Sequence, residues 1–187
     1  MNTSEIVAIQ KRIGTTPDGF WGPKSTVACQ EYLRSLMPQP NPWPATDHQS
    51  LTAFFGKPGD ESRLVSLNVA KLGVCYEDSP ITTIRVNERC ADSLLRILQS
   101  ISKLPERYVL EDYAGCYNDR PMRGGSLPSL HARGAAIDLR PATNGNRNHW
   151  PTNADMPLTV MEEFAREGWL SAGAFWSRDG MHFQSTR

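Results

Sequence analysis

Two residues that commonly bind metal ions lie close together in the segment SLHARGAAIDLRP, residues 129–141. His131 and Asp138 are separated mainly by small residues, so the segment could form an ordinary turn leading into a strand, or two thirds of a metal site. A catalytic zinc site typically has three protein ligands, often two histidines and one carboxylate, and keeps a fourth position open. A third ligand must therefore come from elsewhere in the chain.

His182, in the segment RDGMHFQ, is predicted to be this third ligand. Met181 and Phe183 flank it, and successive side chains of a strand point to opposite faces, so His182 would point away from both. The remaining histidines, His48 and His149, follow segments typical of loops. We interpret these two as exposed polar residues.

Asp179 is predicted to be the catalytic acid/base, because it stands three residues before His182. Hydrolysis by activated water requires a group that accepts the water proton and passes it to the leaving amine. An aspartate before a glycine forms a turn more often than it acts as a base. The combination with three metal-ligand candidates favours the base. We interpret the small residues Gly134, Ala135 and Ala136 as clearance for the metal and for a packed helix.

The segments that carry these residues predict an α+β fold with a small, mostly antiparallel sheet backed by helices. The strands are expected in ITTIRV, YVLEDYAGCYN, AAIDLRP and GMHFQS, and the amphipathic helices in NERCADSLLRILQSISKL and PLTVMEEFAREG. The first of these helices would bury Cys90, Leu94, Leu98 and Ile101 on one face. Trp169 and Trp176 are expected either in the core or in the wall of a substrate cleft.

The first forty residues predict two helices, SEIVAIQKRIG and STVACQEYLRSL, joined by a loop that contains Asp-Gly. Ser4 would cap the first helix, and Val27, Tyr32 and Leu33 would face the core from the second. Four prolines in MPQPNPWPAT predict a semi-rigid linker. The expected domains are therefore a small all-α module at 1–37, a linker at 38–47 and an α+β domain at 48–187.

Composition excludes several classes of partner. Lys+Arg and Asp+Glu both total 20 in 187 residues, so no overall charge attracts nucleic acid. No apolar run approaches the roughly 18 residues needed for membrane insertion, and the segment MNTSEIVAIQKRIG lacks the features of a signal peptide.

The four cysteines form no CxxC pair, and we interpret them as buried thiols, with a bridge formed after export as the alternative.

The N-terminal segment resembles the peptidoglycan-binding modules of cell-wall hydrolases. The resemblance rests on IQKRIG followed by PDGFWGPKSTVACQEYL, which together match a Gln-x-x-Leu-Gly, Asp-Gly-x-x-Gly and Thr-x-x-Ala pattern. It implies that residues 1–37 bind peptidoglycan. A generic helical hairpin, in which Asp18 and Gly19 only form a turn, is the alternative.

Most of residues 50–187 resemble zinc peptidases related to the VanY-type D-alanyl-D-alanine carboxypeptidases, a group that includes phage L-alanyl-D-glutamate endopeptidases. SLHARGAAID matches the SxHxxGxAxD pattern and DGMHFQ matches the DxxH pattern. The resemblance implies that His131, Asp138 and His182 bind one zinc ion and that Asp179 is the acid/base. Many carboxypeptidase relatives have Glu-x-x-Trp-His where this chain has Asp-Gly-Met-His, which favours an endopeptidase.

The resemblance also implies an arginine before the first motif. Arg120 is the nearer match and is expected to be catalytic, while Arg123 is expected to bind substrate. Either guanidinium could bind a substrate carboxylate, stabilise a developing oxyanion, or remain a solvated loop residue. Ser129 would either contact substrate or cap the turn. Arg133 and Arg140 are interpreted as surface residues.

Together the two resemblances imply a peptidoglycan hydrolase, and the bond between L-alanine and D-glutamate is the favoured target. We expect the protein to be a monomer. A D-alanyl-D-alanine carboxypeptidase and a non-catalytic wall-binding protein are the alternatives. We expect a phage endolysin or a virion-borne lysin, made in the host cytoplasm and acting on the cell wall after release.

Overall fold

The computed structural model describes residues 1–187, and its fold is α+β, as predicted. The helices are α1 (Thr3–Arg12), α2 (Pro23–Leu36), α3 (His48–Phe55), α4 (Ala91–Ile101), α5 (Pro141–Asn144), α6 (Leu158–Arg166) and α7 (Ala172–Trp176). The strands are β1 (Leu64–Asn68), β2 (Cys75–Tyr76), β3 (Ser79–Pro80), β4 (Thr83–Asn87), β5 (Tyr113–Gly115), β6 (Ala136–Leu139), β7 (Leu170–Ser171) and β8 (His182–Gln184). Short 3₁₀ helices cover Glu61–Arg63, Pro105–Asp112 and Leu130–Arg133. None of the helices combines the length and the apolar character that crossing a bilayer would require.

The main sheet has four strands in the order β5-β6-β8-β7, and every pair in it is antiparallel. Two hairpin-like pairs, β1 with β4 and β2 with β3, lie outside it. The predicted strands ITTIRV, AAIDLRP and GMHFQS appear as β4, β6 and β8. The predicted strand YVLEDYAGCYN is shorter than expected, because its first part forms a 3₁₀ helix and only three residues pair as β5.

Helix α6 packs on the main sheet, and α4 packs against α6. The predicted apolar face of α4 is confirmed, since Cys90, Leu94, Leu98 and Ile101 are all fully buried. On α6, the ring of Phe164 stacks on Phe183 of β8, with ring centroids 3.8 Å apart. This contact anchors the core-facing side of the strand that carries His182.

The two N-terminal helices are joined by a loop that is organised around the buried side chain of Gln10. The two hydrogens of the Gln10 amide nitrogen are shared among three acceptors, Asp18 Oδ1, the carbonyl of Phe20 and Ser25 Oγ, which lie 3.0 to 3.1 Å from the nitrogen. The Gln10 amide oxygen accepts a hydrogen bond from the backbone N–H of Gly19 at 2.8 Å. A single glutamine on α1 therefore fixes the Asp-Gly loop and the start of α2.

Two details of these helices differ from the predictions. Asn2, rather than Ser4, caps α1: its side chain accepts from Glu5 N, while Glu5 bonds back to the Asn2 N–H in a capping box. Val27 is 52% exposed and does not face the core. Its position explains this, because the buried stripe of α2 runs through Cys29 and Leu33 at four-residue spacing, and Val27 lies on the opposite side.

The N-terminal helices pack directly on the rest of the chain. The carboxylate of Glu162 on α6, whose side chain is only 3% exposed, binds the Arg12 guanidinium through both of its oxygens and accepts a hydrogen bond from Tyr32 Oη at 2.9 Å. The indole of Trp21 meets Trp150 edge-on, with ring centroids 5.1 Å apart. One hydrophobic core includes residues from both regions.

The proline-rich segment is also packed. Trp43 is buried against Trp169, with ring centroids 5.8 Å apart, and donates its indole N–H to the carbonyl of Glu167 at 2.7 Å. The segment therefore forms part of the core in addition to joining two regions. The domain boundaries themselves, 1–37, 38–47 and 48–187, remain a prediction.

All four cysteines are free thiols. Cys29, Cys90 and Cys116 are buried, as expected, and Cys75 is half-buried. Burial raises the pKa of Cys29 and of Cys90 to about 12. These two thiols therefore stay protonated and unreactive at neutral pH.

The buried carboxylate of Glu162 makes a testable prediction. Arg12→Met should lower the free energy of unfolding by about 1–3 kcal/mol, because it leaves a buried charge without its main partner. The control is Arg63→Met, which breaks a pair with Glu88 whose side chains are 35% and 42% exposed, and which should cost less than about 1 kcal/mol. Urea unfolding measures both values, and equal losses would contradict the prediction.

Candidate metal centre and active-site cleft

The antiparallel pairing of β6 with β8 places two of the predicted ligands together. Asp138 and His182 are directly opposite each other in the register. Opposed residues of an antiparallel pair point to the same face of the sheet. On the other face, Ile137 and Phe183 are both fully buried in the core, so the register cannot slip by one residue without exposing them.

The third residue, His131, is positioned by the 3₁₀ helix that precedes β6. Ser129 caps this helix, and its hydroxyl accepts the backbone N–H of His131 at 3.3 Å. Gly134 ends the helix with a φ of +63°. A Cβ at this position would lie 2.7 Å from Asn87 N and from Leu64 Cδ2, so the glycine is required by close packing against β1 and β4. The interpretation of Gly134 as clearance for a metal was therefore wrong.

Three acceptor atoms converge at this point. The Asp138 Oδ1 atom lies 3.2 Å from His131 Nε2 and 2.9 Å from His182 Nδ1, and the two histidine nitrogens are 3.2 Å apart. The three residues form a group that could hold a metal ion.

The outward-facing nitrogens of both histidines are hydrogen-bonded to oxygens. The carbonyl of Cys116 can only accept, so His131 Nδ1 carries the hydrogen of their 2.7 Å contact. The Gln184 amide donates to Thr186 Oγ1 at 2.6 Å, which leaves its oxygen to accept from His182 Nε2 at 3.2 Å. Both histidines therefore direct an unprotonated nitrogen toward Asp138. Fixing ligand tautomers in this way is typical of metal sites.

This donor set fits a tetrahedral divalent ion. Ligand atoms about 2.0–2.1 Å from such an ion would be separated by roughly 3.3 Å, which is close to the observed spacing. Without a cation or a proton, three lone-pair donors would face one another. When protons rather than a metal ion lie between these atoms, burial would raise the pKa of Asp138, but hydrogen bonds from His131 and His182 outweigh burial and hold that pKa well below its usual range. Burial likewise opposes protonation of His182, but Asp138 reverses the effect and raises the His182 pKa.

The three residues lie in an open cleft with a volume of about 540 Å³. Asp179 also lines it, from the turn before β8, with a φ of +58°. Its Oδ1 atom is buried and has no hydrogen-bond partner, which is unusual for a carboxylate oxygen. Burial raises the pKa of Asp179, while the positive charge of Arg123 acts in the opposite direction.

The other predicted site residues occupy different positions around this cleft. Arg120 and Arg123 both line it, from the loop that precedes the 3₁₀ helix. Arg123 is exposed, whereas Arg120 is half-buried and donates to the carbonyl of Pro121 at 3.2 Å. Ser129 lines the cleft and also caps the 3₁₀ helix that holds His131. Of its two predicted roles, contact with substrate or capping of the turn, the structure therefore shows the capping.

The two tryptophans have different environments. Trp169 is fully buried in the core, whereas Trp176 is 45% exposed and lines the cleft, with its ring centroid 6.3 Å from that of His182. His48 is exposed, as predicted, but it also lines the cleft.

The interpretation of Arg133 as a surface residue was wrong, because it is only 3% exposed and lines the cleft. Burial lowers the pKa of its guanidinium. Arg140 is half-buried and pairs with Asp155 at 2.9 Å, so it is not a freely solvated residue either.

Comparison with known proteins identifies the segment that contains the cleft. Residues 123–185 match the model of a family described as D-alanyl-D-alanine carboxypeptidase. This segment is a peptidase-family domain. It covers about a third of the chain and contains His131, Asp138, Asp179 and His182. No curated protein and no solved structure matched the chain significantly.

The contact between Gln184 and His182 makes a prediction about metal affinity. Gln184→Ala should weaken zinc binding by about 10- to 100-fold, because His182 loses the acceptor that fixes its tautomer. Gln184→Glu keeps an acceptor at this position and should retain most of the affinity. Competition with a chromophoric chelator measures both, and equal weakening in the two variants would contradict the proposed contact.

Proposed function

We propose that the protein is a zinc-dependent peptidoglycan hydrolase that cleaves the amide between L-alanine and D-glutamate in the peptide stem. The observation that carries the proposal is the convergence of His131, Asp138 and His182 in an open cleft that also contains Asp179. Three protein ligands leave a position free, which is the arrangement of catalytic rather than structural zinc sites. The match to a peptidase family over the same residues supports it.

The chemistry divides between the ion and the side chains of the cleft. Zinc held by His131, Asp138 and His182 would supply Lewis acidity toward a carbonyl and activation of water. Asp179 takes a proton from the attacking water and delivers it to the leaving amine. The position of Asp179 in the cleft supports this role, and burial, which raises its pKa, moves that pKa toward the range that suits proton transfer near neutral pH.

Arg120 and Arg123 complete the proposed site. Both are cationic and line the cleft, so either could face negative charge that develops on the scissile carbonyl oxygen. We assign this role to Arg120, which is the less exposed of the two, and substrate binding to Arg123. Ser129 adds a hydroxyl at the same rim, beside the backbone of His131.

The N-terminal helices have a separate role in this proposal. Residues 1–37 would hold the enzyme on peptidoglycan and raise its effective concentration near the stem peptides. The rigid Asp-Gly loop around Gln10 supports the assignment, because it gives the motif of the wall-binding modules a defined shape.

The biological setting proposed is that of an endolysin-like bacteriolytic enzyme of bacteriophage origin. It would be made in the host cytoplasm and act on the cell wall after release, since peptidoglycan lies outside the cytoplasmic membrane. We propose that it acts as a monomer.

A carboxypeptidase that removes the terminal D-alanine is the second candidate, and the description of the matched family favours it. Mass spectrometry of digested peptidoglycan separates the two reactions. The endopeptidase should release peptides that begin with D-glutamate and leave L-alanine on the glycan. Free D-alanine, with stems still attached to the glycan, would contradict the endopeptidase and support the carboxypeptidase.

The role of Asp179 can be tested by Asp179→Asn. We expect about one zinc per chain in both proteins and a loss of turnover of about 10²- to 10⁴-fold in the variant, because the amide cannot accept the proton. Asp78 is the matched control, since it is an exposed aspartate with a similar φ of +60°, and Asp78→Asn should keep full turnover. Unchanged lysis by Asp179→Asn would contradict the role, and lysis by neither protein would favour a non-catalytic wall-binding protein.

A further inference from the structure

Arg133 lies in the cleft as a buried cation without a carboxylate partner. Its side chain is almost completely buried, and no aspartate or glutamate oxygen lies within 4.0 Å of its nitrogens. Buried charges in proteins are normally paired, because an unpaired one loses its hydration without compensation. The cleft therefore contains a guanidinium that lacks an anion.

We propose that Arg133 is the anion-binding residue of the cleft, and that it selects substrates with a free carboxylate close to the scissile amide. The inference rests on the proposed function and extends it to the class of substrate. It concerns a residue for which neither motif of the matched pattern, SxHxxGxAxD or DxxH, specifies a role.

The hydrogen bonds of Arg133 leave one edge of the guanidinium free. Nε donates to the carbonyl of Gly56 at 3.2 Å, and Nη2 donates to Thr52 Oγ1 at 3.2 Å and contacts His48 Nδ1 at 3.5 Å. Nη1 makes no hydrogen bond to the protein, and it is not among the buried atoms that lack a partner. The group is thus held from the side of α3 without any carboxylate, and Nη1 is left without a protein partner and is not completely sealed from solvent.

The position of Arg133 relates the anion to the reaction. Arg133 and His131 belong to the same 3₁₀ helix and line the same cleft. A 3₁₀ helix rises only about 2 Å per residue, so the backbones of Arg133 and His131 are about 4 Å apart along the helix axis, and both side chains line one cleft. We therefore place the bound carboxylate on a substrate residue near the bond that is cleaved.

The charge of the whole cleft favours the same class of substrate. Its cationic side chains are Arg120, Arg123 and Arg133, and its carboxylates are Asp138 and Asp179. With a divalent ion bound, the positive charges exceed the negative ones, so an anionic peptide is attracted and a cationic one is repelled. Arg133 differs from the other two arginines because its burial and three contacts restrict it to one orientation.

Two kinds of carboxylate have this chemistry in a stem peptide. One is the free carboxyl of the glutamate that follows the scissile bond, and the other is the carboxyl at the end of the chain. The experiment therefore uses two pairs of synthetic stem peptides, and the members of each pair differ only in having a carboxylate or a carboxamide at one of these positions.

The measurements are kcat/KM for hydrolysis and, by calorimetry, the affinity of the full-length zinc-loaded protein for each peptide. The wild-type protein should prefer the carboxylate over the carboxamide by about 10- to 100-fold in one pair, because a neutral amide leaves the buried cation unpaired. In Arg133→Gln this ratio should fall toward 1, through a higher KM for the acidic peptide. Arg133→Lys keeps the positive charge but lacks the planar guanidinium with its paired N–H donors, so its acid-to-amide ratio should be intermediate.

Thr52→Val is the matched control, because it removes one contact that holds Arg133 but keeps the charge. A structural role alone predicts similar losses of thermal stability in Thr52→Val and Arg133→Gln, with the same acid-to-amide ratio in both. Equal hydrolysis and equal binding of acid and amide by the wild-type protein would overturn the proposal even if Arg133→Gln does not fold. A retained ratio in folded Arg133→Gln would overturn it as well.

The outcomes also separate this proposal from the proposed function. If neither peptide is hydrolysed but the acidic one binds more tightly through Arg133, the proposed hydrolase function is contradicted and the anion-binding role of Arg133 is supported. If both are hydrolysed with equal efficiency, the hydrolase stands and the anion site is wrong.

Discussion

The candidate site depends on one pairing, that of Asp138 with His182 across two antiparallel strands. Each strand has only three or four residues, so few backbone hydrogen bonds hold the register. The buried side chains of the opposite face supply the rest, because a shift by one residue would move Phe183 into the cleft and His182 into the core. Hydrophobic packing therefore determines which polar atoms meet at the candidate metal centre.

The third residue of the candidate metal centre is held by a different kind of constraint. His131 belongs to a single 3₁₀ turn, which would have little stability by itself. Ser129 caps the turn, Gly134 lets the chain pass β4, and the carbonyl of Cys116 accepts from the imidazole. Local hydrogen bonds and the left-handed conformation of Gly134 thus fix the position of His131, whereas strand pairing fixes the positions of Asp138 and His182.

The fold class and the grouping of His131, Asp138 and His182 could be predicted from residue types and spacing, because strand alternation and paired motifs are properties of the sequence. The contact between Cys116 and His131 could not, since every residue has a carbonyl group and only the fold selects this one. The prediction that Arg133 lies at the surface was wrong for a related reason. An arginine in a short turn is usually exposed, and the burial of Arg133 depends on contacts with α3 and its C-terminal end, which the fold alone brings together. The face on which Gln184 lies could be predicted, because residues two positions apart in a strand share a face. Its hydrogen bond with His182 could not.

The packing of the N-terminal helices through Glu162 has a consequence for the evolution of the chain. This carboxylate is bound by Arg12 on α1 and by Tyr32 on α2, so one position on α6 constrains one position on each of two other helices. Among homologous sequences, substitutions at these three positions should be correlated. Recombination that exchanges only the first forty residues would bring together surfaces with unmatched charges, so the two regions are expected to be inherited as a unit.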